Sequence, residues 1–157
     1  MAAKKKAVKK TVAARGRSPA KKSVSKTAAP KWPRIDQRYP EHGGVFMGIA
    51  IGENPRDQYM LFRGRYADRQ MNHADAIKFA TECTDGKHKD WQVPNRTDGA
   101  LLYANGRGDM RSGWHWLKPQ SAHDAAFAWV QLFSLGPQTT THESREFEVV
   151  LVRRVPI

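Results

Sequence analysis

The feature that most constrains this chain is the run at residues 90–103, DWQVPNRTDGALLY. Trp91 and Val93 are apolar at alternate positions ahead of Pro94, whose ring disfavours a helical residue before it and holds Val93 extended. Asn95, Arg96 and Thr97 then give a polar start to the apolar run Ala100-Leu101-Leu102-Tyr103, and Asn95 or Thr97 supplies an oxygen able to cap a helix. The run predicts a buried extended strut leading into a short second helix, with another helix before it and strands after it.

Charge divides the chain. Its 157 residues carry a formal net charge of +12. Residues 1–31 hold nine lysines and two arginines with no acidic residue, leaving sixteen basic and fifteen acidic residues for 32–157. The leader therefore carries +11 and the remainder +1. The leader has no aromatic residue, and its apolar surface cannot offset an ordering cost of about 1–2 kcal/mol per residue, so it is expected to be disordered when free. Its cations, Lys4, Lys5, Lys6, Lys9, Lys10, Arg15, Arg17, Lys21, Lys22, Lys26 and Lys31, are expected to contact nucleic acid or another polyanion. The composition resembles the basic tails of linker histones and histone-like bacterial proteins, and Ser18-Pro19-Ala20-Lys21-Lys22 resembles their Ser-Pro-x-Lys elements. A solubilising or targeting run is the alternative.

The expected organisation is a tail at 1–31, a linker at 32–41 with Trp32 first to touch the body, and a folded domain at 42–157. Cys83 is the only cysteine, which excludes an intrachain disulfide and a cysteine zinc cluster. No apolar run approaches the roughly 18 residues of a membrane span. Lys4-Lys5-Lys6 precedes no apolar stretch, so no secretory signal is expected.

Within the domain, residues 45–52 (VFMGIAIG) and 59–62 read as a hairpin, with Glu53 and Asp57 as turn-formers. Residues 72–84 read as the first helix, with Asn72 as cap, Gly86 past its end, and an apolar face of Ala74, Ile77, Phe79, Ala80 and Cys83. Strands follow at 113–117, 127–135 and 145–155, the last with Phe147, Val149, Leu151, Arg153 and Val155 on one face. Residues 138–143 read as a polar connection. Arg107-Gly108-Asp109 matches the short tripeptide that engages integrins, a match that arises easily by chance in a Gly-rich loop.

These motifs in order resemble the Lcl C-terminal domain family, a family of unknown function common in bacteria and phages. The resemblance rests on Asp90-Trp91-x-x-Pro94, Ala100-Leu101-Leu102-Tyr103-Ala104-Asn105, Gly113-Trp114-His115-Trp116, Ala128-Trp129-x-Gln131-x-Phe133-x-x-Gly136 and Val152-Arg153-Arg154-Val155-Pro156. It covers about residues 42–157. Two departures stand out: Leu117-Lys118-Pro119 replaces a Ser/Thr-Ser dipeptide, and Gln92 replaces an arginine. The resemblance implies an α+β, C-type-lectin-like fold in which two helices flank a small, twisted, mainly antiparallel sheet with many loops.

Relatives on that fold guide the chemistry. Calcium-dependent lectins use a Glu-Pro-Asn loop and a Trp-Asn-Asp strand; here Val93-Pro94-Asn95 lacks the carboxylate and the strand motif is missing. Formylglycine-generating enzymes need a cysteine pair, which Cys83 alone cannot supply. His115, His123 and His142 with Asp124 show no metal-ligand spacing. No enzyme, cofactor or metal is expected. By analogy with the ligand surface of these relatives, the candidates are Trp116, Lys118, Gln120, His123, Asp124, Gln138, Thr140 and His142, with the core as the alternative home of the tryptophans. The resulting expectation is a phage or prophage accessory protein, in the host cytoplasm or the virion, whose domain binds a protein or glycan. The alternatives are a virion or surface receptor-binding protein whose tail serves assembly, and an enzyme related to the formylglycine-generating group.

Overall fold

The computed structural model describes residues 32–106 and 108–157; the basic positions Lys4 to Lys31, and Arg107 with the tripeptide that needs it, lie outside them. The first hairpin pairs β2 (Gly44–Ile51) with β3 (Gln58–Tyr66), matching Val45 to Arg63 and Ile51 to Gln58. Asp57 closes the turn as expected of a turn-former: its carbonyl accepts from Gly52 N–H at 2.6 Å and its carboxylate from Asn54 Nδ2 at 2.9 Å. The short strand β1 (Arg38–Tyr39) flanks β2, and the last strand, β7 (Val150–Pro156), lies beside β3, giving an antiparallel sheet ordered β1-β2-β3-β7.

Residues 32–41, expected as a linker, are thus stitched to this sheet. Asp36 N–H donates to Phe46 O at 2.8 Å, and the Tyr39 ring stands edge-on to Phe46 and Phe62. Trp32 is 56% exposed, so Asp36 and Tyr39 make the contact that was expected of it.

Helix α1 (His73–Glu82) is capped by Asn72, whose side chain accepts from Asp75 N–H. Of its expected apolar face, Ala80 and Cys83 are buried and Ile77 and Phe79 pack against the core, while Ala74 is exposed and His73 and Ala76 are buried in its place. The second sheet is ordered β4 (Trp114–Gln120), β5 (Phe127–Leu132) and β6 (Gln138–His142), again antiparallel. Strand β6 corrects the reading of 138–143 as a connection. Its three threonines are β-branched and suit an extended, half-buried edge, and the true connection is the tighter turn at 133–137. Strand β5 accordingly stops at Leu132.

Residues 149–152 are all fully buried, so both faces of the chain are covered there. Val149 and Leu151 join a core with Trp91, Trp116 and Val130, while Val150 and Val152 join another with Met47, Leu61, Leu102 and Phe133. A strand with both faces covered reads as a continuous apolar run.

The strut forms as its sequence implies. Trp91 and Val93 are 4% and 1% exposed, and Gln92 exchanges two backbone hydrogen bonds with Val152 at 2.9 and 2.8 Å. Pro94 O accepts from Lys118 N–H at 2.8 Å, so the strut joins both sheets. The Trp91 ring lies against Gly64, where any Cβ would collide with it. Helix α2 (Arg96–Gly106) then begins with a reciprocal cap, in which Asp98 N–H donates to Asn95 Oδ1 at 2.8 Å and Asn95 N–H to Asp98 Oδ2 at 3.0 Å.

Asp98 is fully buried, and its carboxylate also accepts from Tyr59 Oη at 2.7 Å and Arg154 Nη2 at 2.6 Å. Burial, then the hydrogen bond to this carboxylate, pushes the Tyr59 phenol pKa up. Asp98→Ala removes the cap and strands both partners, and is expected to cost about 2–4 kcal/mol, moderated by the partial exposure of Arg154. Asp98→Asn keeps an acceptor and should cost less. Urea unfolding midpoints measure both; a loss below about 1 kcal/mol for the alanine variant would remove Asp98 from its place in the fold.

Candidate functional site

Antiparallel pairing places directly opposed residues on the same face of a sheet. Phe127 opposes His142, Trp129 opposes Thr140, Gln131 opposes Gln138, and His115 opposes Gln131. One face of the second sheet therefore collects these seven side chains, while Trp116, Ala128 and Val130 turn into the core. Helix α2 covers the Gln131 end. It comes so close at Gly99 that a Cβ there would lie 2.5 Å from Gln131 Oε1 and 2.9 Å from Leu117 Cδ2. At the other end Phe127, Trp129 and Thr140 are half-buried and His142 is exposed.

Between the start of α2 and the turn after β5 runs an open groove of about 600 Å³, lined by Arg96, Thr97, Tyr103, Gln131, Gly136 and Gln138. Its floor is a chain of amides. Gln138 Nε2 donates to Arg96 O at 2.8 Å and to Gln131 Oε1 at 2.9 Å, and Gln131 Nε2 donates to Gly136 O at 3.3 Å. These bonds let Gln131 sit at 1% exposure without an unmet amide oxygen. Arg96 Nε donates to Gln138 Oε1 at 3.1 Å, and its guanidinium lies 3.8 Å from the centre of the Trp129 ring.

Of the candidates drawn from sequence, Gln138, Thr140 and His142 come together on this face. Trp116 does not: it is fully buried, donates Nε1–H to Met71 O at 2.7 Å, and packs edge-on against His73 and Phe147. That corrects its assignment as a ligand contact and places it in the core. Lys118 is exposed on β4, with its backbone N–H on the strut. Gln120 donates to Ala125 O and to the Glu143 carboxylate at 3.3 and 3.2 Å. His123 and Asp124 are exposed in the β4–β5 loop, where the Asp124 carboxylate accepts from Ala126 N–H at 2.9 Å and shapes the turn.

Sequence reasoning missed Arg96, Phe127, Trp129 and Gln131. The period-two spacing of the last three was visible; what was missing was a paired strand at 138–142 to set them opposite Gln138, Thr140 and His142. Nothing in the sequence marked Arg96 beyond its position next to the cap.

The three histidines considered together do not share an environment. His123 and His142 are exposed, whereas His115 is fully buried between Tyr66 and Phe133, with Nδ1 3.2 Å from Gly113 O and Nε2 unpartnered among the described residues. Among the described residues no group of three or more His, Cys, Asp or Glu is arranged to hold a metal ion. Burial pushes the His115 pKa down to about 4, so the ring is neutral at pH 7.

The sign of the linkage follows. Above about pH 6.5 His115 is neutral in both folded and unfolded chains. Between there and about 4 the unfolded chain takes up a proton that the folded ring refuses, so stability falls as pH falls. The contribution lost is on the order of 3 kcal/mol. His115→Phe should flatten the stability profile in that window relative to the parent, measured by urea unfolding at pH 4.5, 5.5 and 7. Parallel profiles would show that the ring is protonated in place.

No family model matches the chain, and no curated protein does. Among solved structures, a chain from the complex of a von Willebrand factor mutant A1 domain with botrocetin is similar over 68% of this chain and 96% of its own, at 11% identity and a TM-score of 0.38. A likeness at that level carries over neither fold nor function.

Proposed function

We propose that this is a non-enzymatic binding protein of phage or prophage type. Its folded part is a C-type-lectin-like domain of the Lcl C-terminal kind, which recognises a protein or glycan partner through the outer face of the second sheet. The basic leader contacts nucleic acid or another polyanion. The observation that carries the domain's part is the register of β5 with β6. It gathers Gln138, Thr140 and His142 opposite Gln131, Trp129 and Phe127, making one half-open face of aromatic rings, amides and a hydroxyl. Such a face offers flat contact area and fixed hydrogen-bonding groups together. Two helices, two antiparallel sheets and a last strand returning beside the first hairpin are compatible with the proposed fold. The leader's part rests on the division of +11 against +1.

Two experiments test the two halves. In gel-shift titrations the full chain should bind duplex DNA, losing about 10³–10⁵ in affinity between about 50 and 200 mM salt if about 6–10 phosphates are engaged, while residues 32–157 alone bind weakly. Equal affinity in the two would end the leader's assignment. On arrays of immobilised glycans and bacterial surface proteins, the labelled full chain should give a signal that Trp129→Ala and Thr140→Arg both remove. A signal indifferent to both substitutions would move the partner site elsewhere on the domain.

A further inference from the structure

We infer that β6 pairs with β6 of a second copy of this chain, antiparallel and centred on Thr140. Leu132 N–H donates to Pro137 O at 3.0 Å and Glu143 N–H to Ala126 O at 2.9 Å, at the two ends of an unbroken β5–β6 register. Hydrogen-bonded pairs recur at every second residue of an antiparallel ladder. Thr139 and Thr141 therefore turn their backbone groups to β5, while Gln138, Thr140 and His142 turn theirs to the open side. There His142 O accepts from Arg145 N–H at 3.1 Å. The N–H groups of Gln138, Thr140 and His142, and the carbonyls of Gln138 and Thr140, meet no backbone partner among the described residues.

The other sheet edges are closed or guarded. Strand β4 is covered, with Trp116 N–H on Glu148 O at 3.0 Å and Lys118 N–H on Pro94 O at 2.8 Å. Strand β7 exchanges bonds with Gln92 and beyond that point carries Arg153, Arg154 and Pro156. Strand β1 has two residues, one of them Arg38. Charge, proline, brevity and cover are the means by which an edge resists a further strand, and β6 has none of them. It runs five residues without a charge, a proline or a bulge, and its threonines suit a paired, extended neighbour.

Symmetry and charge name the occupant. A free strand edge is filled by another strand. Inverting a copy about Thr140 lets the two Thr140 residues exchange both backbone bonds, and each His142 N–H reach Gln138 O of the other copy. The same inversion sets the Gln138 end, where Arg96 Nε donates at 3.1 Å, against the far end of the other β6, where residues 143–146 hold two acids and one base. No like charges oppose each other along the strand, and the residues from 32 onward carry only +1. The joined sheet runs β4-β5-β6-β6-β5-β4 and places two candidate faces side by side.

Sedimentation velocity of the nuclease-treated full chain tests this, at about 0.15 M salt so that charges more than about 8 Å apart are screened. A reversible monomer–dimer equilibrium should appear as concentration rises. Thr140→Pro removes only an outward N–H, and should weaken the dimer by about tenfold or more with the thermal midpoint little changed. Thr140→Lys and Thr140→Glu should each be monomeric alone, since like charges then stand directly opposed, and should dimerise when mixed. Should the proline variant fail to fold, the lysine–glutamate mixture decides alone. A parent chain monomeric at every concentration, a dimer indifferent to Thr140→Pro, or a mixture that stays monomeric overturns the inference. Capture on the arrays by a monomeric chain overturns it and leaves the partner-binding reading intact; a dimer without capture does the reverse.

Discussion

A single carboxylate ties the first sheet to the second helix. Asp98 caps α2 with Asn95, accepts the Tyr59 hydroxyl from β3, and holds the Arg154 guanidinium from β7, all at 0% exposure. A buried carboxylate is tolerable only with its oxygens satisfied, and here three elements satisfy it. Each partner is therefore positioned by the same demand. The helix cannot slide along the sheet without stranding a charge, which is a steeper penalty than the loss of any one apolar contact on that face.

With α2 fixed from one side, the strut fixes it from the other. Gln92 is paired to β7, Pro94 to Lys118, and Asp90 grips Arg153 at 2.7 Å, so the path from the first sheet to the second is rigid from residue 90 onward. The two apolar clusters lie on opposite faces of β7 and lock that strand between them. Gly99 then lets the helix approach to within contact of Gln131 and Leu117. The groove is the space left where that close approach ends, so its width is set by a glycine and a cap rather than by its own lining.

Much of this was legible in sequence, and the reasons differ by element. The strut was legible because Pro94 and alternating apolar residues act locally, and the cap as far as Asn95 or Thr97, because it needs only a short polar side chain at a helix start; the structure uses Asn95. The boundaries of α1 were close and so was most of its buried face, Ala74 excepted, because Ala74 and Ala76 are equivalent to a periodicity argument until a neighbouring sheet chooses between them. Strand β6 was hidden because Gln138, Thr139, Thr140, Thr141 and His142 lack the apolar alternation that marks a half-buried strand; as an edge strand it keeps one side largely polar. Trp116 and His115 show the limit from the other direction. Adjacent residues in an aromatic strand point to opposite faces, and both are buried, since one meets the core and the other meets the rings of Tyr66 and Phe133.

The composition of the candidate face depends on one register. A slip of a single residue between β5 and β6 would turn Gln138, Thr140 and His142 inward and bring Thr139 and Thr141 out. The threonines alone would barely resist, since both settings expose similar polarity. What resists is the turn at 133–137. Gly136 adopts φ 96°, a conformation an L side chain rarely takes, and its N–H donates to Leu132 O at 2.7 Å while Leu132 N–H donates to Pro137 O at 3.0 Å. Tyr103 closes over the same glycine, where a Cβ would stand 2.7 Å from its ring. The turn is thereby pinned to α2, the helix that Asp98 has already fixed. The buried charge of Asp98 consequently bears on which side chains the second sheet turns outward.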